Sequence, residues 1–206
     1  MFFSKMLYPV HTLGPGNRAA LWLCGCKRRC KGCANPELQL FDTEKNITVY
    51  AIEQMIMSLP EIPDGFTITG GEPFEQADEL NELVSFLNTI SSDILIYSGY
   101  TYEQLISFEN YNAVNVLNNI AALVDGEYIE ECNNGCRLKG SDNQCLYVFR
   151  RQYEEPYRKL NSSYDYDSRQ TETFLCSSQG LVNVGFQKKG FISEFNHRLR
   201  DKYNRC

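Results

Sequence analysis

Short apolar runs of strand length alternate with helical patterns between about residue 20 and residue 125 of the chain. The helix predicted after Thr48 carries its apolar residues on one face, at 52, 55, 56 and 59. Because strands that alternate with helices form parallel sheets, this pattern predicts an α/β fold. The predicted strands are residues 21–23, 66–69, 93–98 and 121–124.

Polar and glycine-rich motifs follow these strands directly, at their carboxyl ends. Ligand sites in parallel α/β sheets lie at that edge. The motifs therefore predict one site to which four segments contribute. They are the cysteine loop of residues 26–33, Gly70-Gly71-Glu72, Ser98-Gly99 and Asp125-Gly126.

The cysteine loop places Cys26, Cys30 and Cys33 in the spacing C-x3-C-x2-C. A structural zinc ion takes four protein ligands, and a [4Fe–4S] cluster normally takes four thiolates. Three thiolates on one loop leave one iron of such a cluster open to a small molecule. A zinc site that pairs this loop with Cys132 and Cys136 is the alternative. Basic residues between the cysteines would offset the charge of a thiolate-ligated cluster, or simply form a solvated loop.

At these cysteines the chain resembles the radical S-adenosylmethionine (radical SAM) superfamily, whose cluster loop has the same spacing. Gly70-Gly71-Glu72-Pro73 resembles the segment that binds the methionyl amine of S-adenosylmethionine there. The resemblance implies an incomplete parallel β/α barrel with a C-terminal extension, because the alternation covers about 100 to 130 residues and eight β–α units need roughly 250. It implies cofactor contacts from Gly70, Gly71, Glu72, Pro73, Ser98 and Asp125.

Further motifs are similar to those of the activating enzymes of anaerobic ribonucleotide reductase. They are residues 13–18, 21–26, 30–37, 97–101, 124–126 and 140–144. The resemblance covers about residues 10 to 150. It departs at Ala34, where those enzymes often have His, and at Leu38-Gln39, where Thr-Trp is usual.

The resemblance implies a defined chemistry. In that superfamily a reduced [4Fe–4S] cluster passes one electron to the sulfonium of S-adenosylmethionine, and the 5′-deoxyadenosyl radical that results takes a hydrogen atom from the substrate. The chain would then be an anaerobic oxidoreductase that activates a glycyl-radical partner, with flavodoxin or ferredoxin as the electron donor. Two other classes stay open, namely direct modification of a peptide, RNA or metabolite, and a metal-binding interaction module without catalysis.

Composition limits the classes of binding partner and the cellular compartment that we expect for this chain. The chain has 206 residues, a net charge of −6 and a pI of about 5.1, and no basic face that would indicate nucleic-acid binding. No secretory signal opens the sequence and no run is long enough for a membrane span, so we expect a cytoplasmic protein. In that reducing compartment cysteines bind metals or stay free. We expect a single domain with a core at 1–151 and an extension at 152–206.

Four cysteines outside the loop, Cys132, Cys136, Cys145 and Cys176, are candidates for a second [4Fe–4S] or zinc site. Free thiols that pack as small apolar side chains are the favoured interpretation. Residues 152–171 are rich in Tyr, Ser, Asp, Glu and Arg, which predicts a surface segment without regular structure. Residues 174–186 predict a hairpin, and residues 188–205 a basic helical tail.

Overall fold

A six-stranded sheet forms the centre of the protein, whose computed structural model describes residues 1–134, 137–161, 171–176 and 180–186. Its strands are β1 (Phe3–Val10), β2 (Arg18–Leu23), β3 (Gly65–Gly70), β4 (Ile94–Tyr97), β5 (Ala122–Asp125) and β6 (Cys145–Val148). They lie in sequence order, with β2 to β5 parallel and the two edge strands antiparallel to their neighbours. The carboxyl ends of four strands therefore meet at one edge.

Helices cover one face of this sheet. They are α1 (Val49–Met57), α2 (Ala77–Leu87), α3 (Tyr102–Ile106) and α4 (Tyr111–Asn119). Thr48 caps α1 through its side chain, and Thr101 with Gln104 forms the predicted capping box of α3. The largest core cluster joins the helices to the sheet through residues such as Leu21, Ile68 and Leu80, all fully buried.

The C-terminal part of the chain covers the opposite face of the sheet. It contributes α5 (Glu154–Asn161) and a separate two-stranded hairpin of β7 (Thr171–Cys176) and β8 (Gly180–Gly185). Val184 of β8 packs with Ala20 and Trp22, the residues of β2 that point away from the helices. Tyr157 of α5 packs with Leu95, Ala122 and Val124 in a second small cluster. The sheet is therefore buried on both faces.

A buried ion pair lies at the end of the sheet opposite to the cysteine loop. The Arg18 guanidinium is completely buried and donates to Asp93 Oδ2 at 2.8 Å and to Thr67 Oγ1 at 2.7 Å. The Tyr157 hydroxyl donates to Asp93 Oδ1 at 2.6 Å. A buried charge pair is tolerated only where further hydrogen bonds satisfy it. The helix α5 supplies one of those bonds and so completes this network.

The predicted α/β class and its parallel strands are confirmed, as is the hairpin. The sheet is mixed, however, because β1 and β6 add antiparallel edges that the alternation did not predict. No closed barrel forms among the described residues, and the partial radical SAM barrel stays a prediction. None of the helices that the structure describes is long and apolar enough to cross a lipid bilayer.

The segment from 152 to 171 was expected to lack regular structure, and this is wrong where the structure describes it. Residues 154–161 form α5, because one buried aromatic, Tyr157, anchors an otherwise polar helix. Tyr153 and Leu160 pack beside it at the helical spacing i, i+4, i+7, but the charged residues between them obscure this short pattern in the sequence. Residues 162–170 and the predicted tail at 188–205 lie outside the described residues.

Candidate metal centre

The cysteine loop begins where β2 ends, at the carboxyl edge of the parallel strands. Its first residues are anchored by the chain that follows it, since Gly25 N donates to Leu38 O at 2.8 Å and Cys26 N donates to Gln39 O at 3.1 Å. Cys24 is only 1% exposed and packs into the cluster around Trp22. Its thiol therefore belongs to the core on the hairpin side of the sheet.

The thiols of Cys26, Cys30 and Cys33 are all partly exposed. Burial raises the pKa of Cys26, while the backbone N–H groups of Arg28 and Arg29 donate to its sulfur and act in the opposite direction. Burial and the Glu127 carboxylate raise the pKa of Cys30, while a hydrogen bond from the Tyr128 backbone acts to lower it.

Hydrogen bonds from backbone N–H groups to sulfur are the contacts that stabilise cluster-ligating thiolates. Among the residues described, no three His, Cys, Asp or Glu side chains lie close enough to hold a metal ion. To hold a cluster, the three thiols would have to move together, which would couple metal binding to local ordering of the loop. The donors and the thiol set fit a [4Fe–4S] group.

The Gly70-Gly71-Glu72 segment docks on the residues that directly precede the cysteine loop. Gly71 N donates to Leu23 O and Glu72 N donates to Gly25 O, both at 2.8 Å. A Cβ on Gly71 would lie 2.3 Å from Gly25 O, closer than any real side-chain contact. The sequence interpretation gave these glycines the role of admitting a ligand. In the structure, the space beside Gly71 is taken by the backbone of Gly25, which leads into the cysteine loop.

The Glu72 side chain is buried, with 1% of the residue exposed. Its Oε1 accepts from Phe74 N at 3.1 Å and from Ser98 Oγ at 2.9 Å, and its Oε2 accepts from Gly99 N at 2.7 Å. Burial raises the pKa of Glu72 to about 7, although these donors favour the ionised form. Glu72 thus ties the segment after β3 to the segment after β4. Oε2 has one described donor, so it retains acceptor capacity for a cationic group.

Pro73, Ser98 and Asp125 also lie at this edge. Pro73 is buried and begins the short 3-10 turn that leads into α2. Asp125 is 3% exposed and accepts from Tyr102 N at 2.6 Å and from Cys145 N at 3.1 Å. Both Asp125 oxygens are therefore engaged by backbone donors that position α3 and β6. A contact between Asp125 and a cofactor stays a prediction.

The 140–144 motif closes the segment that follows β5. Gln144 Nε2 donates to Gly126 O at 2.8 Å, and Gln144 Oε1 accepts from Gly140 N at 2.8 Å. Ser141 Oγ accepts from Ile129 N at 3.2 Å. The motif thereby fixes the chain around Tyr128, whose backbone contacts Cys30.

Basic side chains of the cysteine loop reach across to neighbouring segments. Lys27 Nζ lies 2.6 Å from Glu75 Oε2. The Arg28 guanidinium lies 4.8 Å from the centre of the Tyr100 ring and 3.4 Å from Glu127 Oε2. The Tyr100 hydroxyl donates to Glu75, and burial together with this bond raises the pKa of Tyr100 to about 12. These contacts hold the loop over the ends of β3, β4 and β5.

The sequence did not identify two residues of this edge as part of the site. Gln76 donates to Cys24 O at 3.0 Å and accepts from Phe2 N, which fixes the base of the loop. Tyr128 contributes its backbone at Cys30. Both contacts join residues more than 50 positions apart, and no local motif marks them. For Arg28, the run of basic residues in the cysteine loop was the only sequence signal, and it did not indicate the contacts with Tyr100 and Glu127.

The additional cysteines lie on different elements. Cys132 is in a 3-10 turn, Cys145 begins β6 and Cys176 ends β7. Their thiols are free, and no metal-binding group includes them within the ranges that the structure describes. Cys136, which the second metal site and the zinc alternative both require, lies outside those ranges.

Comparison with known proteins supports the cluster. The chain is 29% identical over 147 residues to the anaerobic ribonucleoside-triphosphate reductase-activating protein of Enterobacteria phage T4, covering 68% of this chain and 90% of that protein. It is 28% identical over 152 residues to the protein of the same name from Vibrio cholerae serotype O1, covering 69% and 95%. The model of the family described as "4Fe-4S single cluster domain" matches residues 12–147. The chain therefore belongs to the 4Fe-4S single cluster domain family.

Proposed function

We propose that this protein is a radical SAM enzyme that binds a [4Fe–4S] cluster through Cys26, Cys30 and Cys33. The observation that carries the proposal is the docking of the Gly70–Glu72 segment on the residues directly before the cysteine loop, through Gly71 N to Leu23 O and Glu72 N to Gly25 O. This contact joins the two motifs that the radical SAM resemblance assigns to the cluster and to S-adenosylmethionine.

The chain's own residues would hold and orient these groups. The three cysteines supply thiolate ligands and leave one iron for the cofactor, while Glu72 Oε2 is positioned by Gly99 N to accept the cofactor's amino group. When bound, the cluster and S-adenosylmethionine supply one-electron cleavage to methionine and a 5′-deoxyadenosyl radical. Lys27 and Arg28, held by Glu75 and Glu127, keep the loop closed over the strand ends.

The partner we propose is a glycyl-radical enzyme such as anaerobic ribonucleotide reductase. The relatives carry the name of activators of that reductase, and the match covers 90% and 95% of the two described above. This favours activation of a protein partner over direct modification of another substrate. Flavodoxin or ferredoxin would supply the electron, as the resemblance implies.

The ligand assignment is tested by anaerobic reconstitution of matched cysteine variants. Cys26→Ala should lose the cluster, whereas Cys24→Ala should keep about four irons per chain, because Cys24 is buried in the core beside Trp22. Iron analysis and electron paramagnetic resonance provide the measurement. Loss of iron from Cys24→Ala with retention in Cys26→Ala would show that the ligand assignment is wrong.

The reaction is tested with dithionite and S-adenosylmethionine. We expect 5′-deoxyadenosine and methionine, and a glycyl-radical signal when the reductase is added. S-adenosylhomocysteine without deoxyadenosine would contradict radical chemistry. Deoxyadenosine formation without a radical on the reductase would support the radical chemistry. It would also indicate that the substrate is a peptide or another molecule and not the reductase.

A further inference from the structure

The side chain of Arg28 lies across the carboxyl ends of two parallel strands. Its Nη2 is 3.4 Å from Glu127 Oε2, beyond β5, and its guanidinium carbon is 4.8 Å from the centre of the Tyr100 ring, beyond β4. A Cβ on Gly99 would lie 2.5 Å from Arg28 Cδ, so the absence of a side chain there leaves room for Arg28. Arg28 also follows Cys26 by two positions, which brings a permanent cation into the candidate metal centre.

The partners that the structure describes do not satisfy this guanidinium. Arg28 Nε is buried and donates to no acceptor among the described residues. The side chain is 19% exposed, and its described hydrogen bond is the long one to Glu127, whose side chain is 47% exposed. An exposed ion pair stabilises little, whereas a buried donor without an acceptor is costly. The position of Arg28 therefore favours a further anionic partner.

A carboxylate with spare acceptor capacity lies beside this guanidinium. The position of a Cβ on Gly99 is 2.8 Å from Arg28 Nε and 3.4 Å from Glu72 Oε2, so both groups border the same small space. Glu72 Oε2 accepts one described hydrogen bond, from Gly99 N. Burial raises the pKa of Glu72, and the positive charge of Arg28 is one of the effects that lower it, which agrees with their proximity. A cationic donor and an anionic acceptor therefore lie side by side at this edge.

This pair of charges matches a ligand that carries an ammonium and a carboxylate on one carbon atom. The ammonium can donate to Glu72 Oε2, and the planar guanidinium of Arg28 can pair with a carboxylate through two parallel hydrogen bonds. The ligand carboxylate would also separate the ligand ammonium from Arg28, so that neighbouring charges alternate in sign. A ligand with an ammonium alone would leave two cations close together, and a phosphate would lie against the Glu72 carboxylate. An α-amino-acid group is the chemistry that satisfies both residues.

We propose that Arg28 binds the carboxylate of the α-amino-acid end of S-adenosylmethionine, while Glu72 accepts the ammonium of the same group. Binding exchanges the long contact between Arg28 and Glu127 for a pair with the ligand. The inference rests on the proposed function, since it assigns a further binding residue for the proposed cofactor. In the sequence, the run of basic residues indicated only a general role in offsetting charge.

Two ligands that differ only in the carboxylate test this assignment. Decarboxylated S-adenosylmethionine keeps the amine and the sulfonium but has no carboxylate. Binding of each ligand to the reconstituted, unreduced protein is measured anaerobically by isothermal titration calorimetry, so that no turnover is needed. We expect Arg28→Gln to weaken binding of S-adenosylmethionine about tenfold or more, because a charged hydrogen-bonded pair is lost. It should not weaken binding of the decarboxylated ligand, whose ammonium Arg28 repels.

Two further variants serve as controls. Arg28→Lys keeps the positive charge without the second parallel hydrogen bond, so its affinity for S-adenosylmethionine should lie between those of wild type and Arg28→Gln. Lys31→Gln removes one positive charge from an exposed position of the same loop and should leave both affinities within about twofold of wild type. Affinity of Arg28→Lys no better than that of Arg28→Gln would contradict pairing with an anion.

The outcomes separate this inference from the proposed function. Wild-type affinity of Arg28→Gln for S-adenosylmethionine would overturn the inference and leave the proposed function intact. Equal weakening of both ligands would show that Arg28 shapes the site without contacting the carboxylate, and would overturn it as well. Loss of iron from Arg28→Gln, with retention in Lys31→Gln, would show that Arg28 acts by holding the cysteine loop instead. Failure of the reconstituted wild-type protein to bind or cleave S-adenosylmethionine would refute the proposed function and this inference with it.

Discussion

Gly71 illustrates at the scale of one residue how tightly the two motif segments are packed. A Cβ at this position would lie 2.3 Å from Gly25 O and 3.0 Å from Gly25 N. Gly71→Ala should therefore displace the cysteine loop. We expect overpacking to lower the free energy of unfolding by about 1–3 kcal/mol and iron content to fall with it. Chemical denaturation and iron analysis of the reconstituted protein measure both effects.

The control for this variant is Gly180→Ala in the hairpin. Gly180 has a φ of +71°, but no atom of the described residues lies within 4 Å of the position of a Cβ, so the substitution adds backbone strain without a clash there. It should leave iron content unchanged. Full iron loading of Gly71→Ala would mean that the loop tolerates displacement. Gly71 would then be open to the ligand role that the sequence pattern suggested.

Glu72 gives a pH dependence that follows from its burial. Its pKa is raised from 4.5 to about 7, so the folded protein binds a proton more tightly than the unfolded chain. The stabilisation from Glu72 is therefore complete below pH 4.5 and is lost as the pH rises through 7. Because one pKa unit corresponds to about 1.4 kcal/mol, the contribution is about 3 kcal/mol.

Denaturation of the metal-free protein between pH 5 and pH 8 tests this dependence. Glu72→Gln should flatten the fall of the unfolding free energy across this range, since the amide does not titrate. Glu109→Gln, at an exposed carboxylate, serves as the control and should keep the wild-type slope. An unchanged slope in Glu72→Gln would locate the titrating group elsewhere.

At the scale of elements, sequence patterns predicted the parallel strands and the edge at which the motifs meet. The strands β2 to β5 are short, apolar and followed by glycine or a polar residue, which makes them recognisable. The edge strand β1 is half-buried along most of its length and has no clear periodicity. The apolar face of α5 is short, with Tyr157 and Leu160 among charged residues, so the sequence pattern does not show it clearly. Their positions depend on tertiary contacts, which a local pattern does not contain.

A hydrogen-bonded pair of Glu172 in the hairpin and His11 in the core fixes the hairpin, and the sequence did not predict it. His11 Nδ1 lies 2.6 Å from Glu172 Oε1, and the bond to Glu172 raises the pKa of His11 above 6.5. Burial acts to raise the pKa of Glu172, but the hydrogen bonds from His11 and Thr12 outweigh it and lower that pKa below 4.5. Stabilisation from His11 is lost as the pH rises above 6.5, and that from Glu172 as it falls below 4.5.

Docking of the hairpin should therefore be strongest between about pH 4.5 and pH 6.5. Hydrogen exchange of the β8 amides, corrected for the intrinsic pH dependence of exchange, measures it. In Glu172→Gln the corrected protection should fall and lose its pH dependence, whereas Glu155→Gln, at an exposed carboxylate on α5, should behave as wild type. Equal protection in Glu172→Gln and wild type would show that apolar packing of Phe174, Val182 and Val184 holds the hairpin without this pair.

At the scale of the whole molecule, the candidate site was predictable as a location but not as a set of contacts. The strand ends place the cysteine loop, Glu72 and Ser98 together, as the motifs predicted. The partners of Glu72 and Arg28 are set by how separate loops pack, and Gln76 joins the site through an amide with no motif of its own. Long-range hydrogen bonds of this kind depend on the folded geometry.

The two faces of the sheet should unfold together, because the C-terminal helix takes part in the core network. Tyr157→Phe removes the 2.6 Å bond to Asp93 Oδ1, in a buried pair with Arg18. Loss of a hydrogen bond to a buried charged group costs about 1.5–3 kcal/mol. Trp22, the only tryptophan, lies in the other small cluster beside Val184 and reports unfolding by fluorescence. We expect its transition to shift to lower denaturant in Tyr157→Phe, with an unchanged slope.

Tyr153→Phe is the matched control for this prediction, since its hydroxyl lies 2.8 Å from the neutral Ser92 hydroxyl. It should cost about 0.5–1.5 kcal/mol, the usual value for a bond between neutral groups. Circular dichroism and Trp22 fluorescence should give coincident curves for all three proteins, as a cooperative unit requires. If Tyr157→Phe shifted the circular dichroism transition while the Trp22 transition stayed in place, α5 would unfold as an independent unit. The extension would then be an appendage to a separately stable core. A shared shift requires instead that the buried charge pair, the sheet and the C-terminal helix form one folded structure.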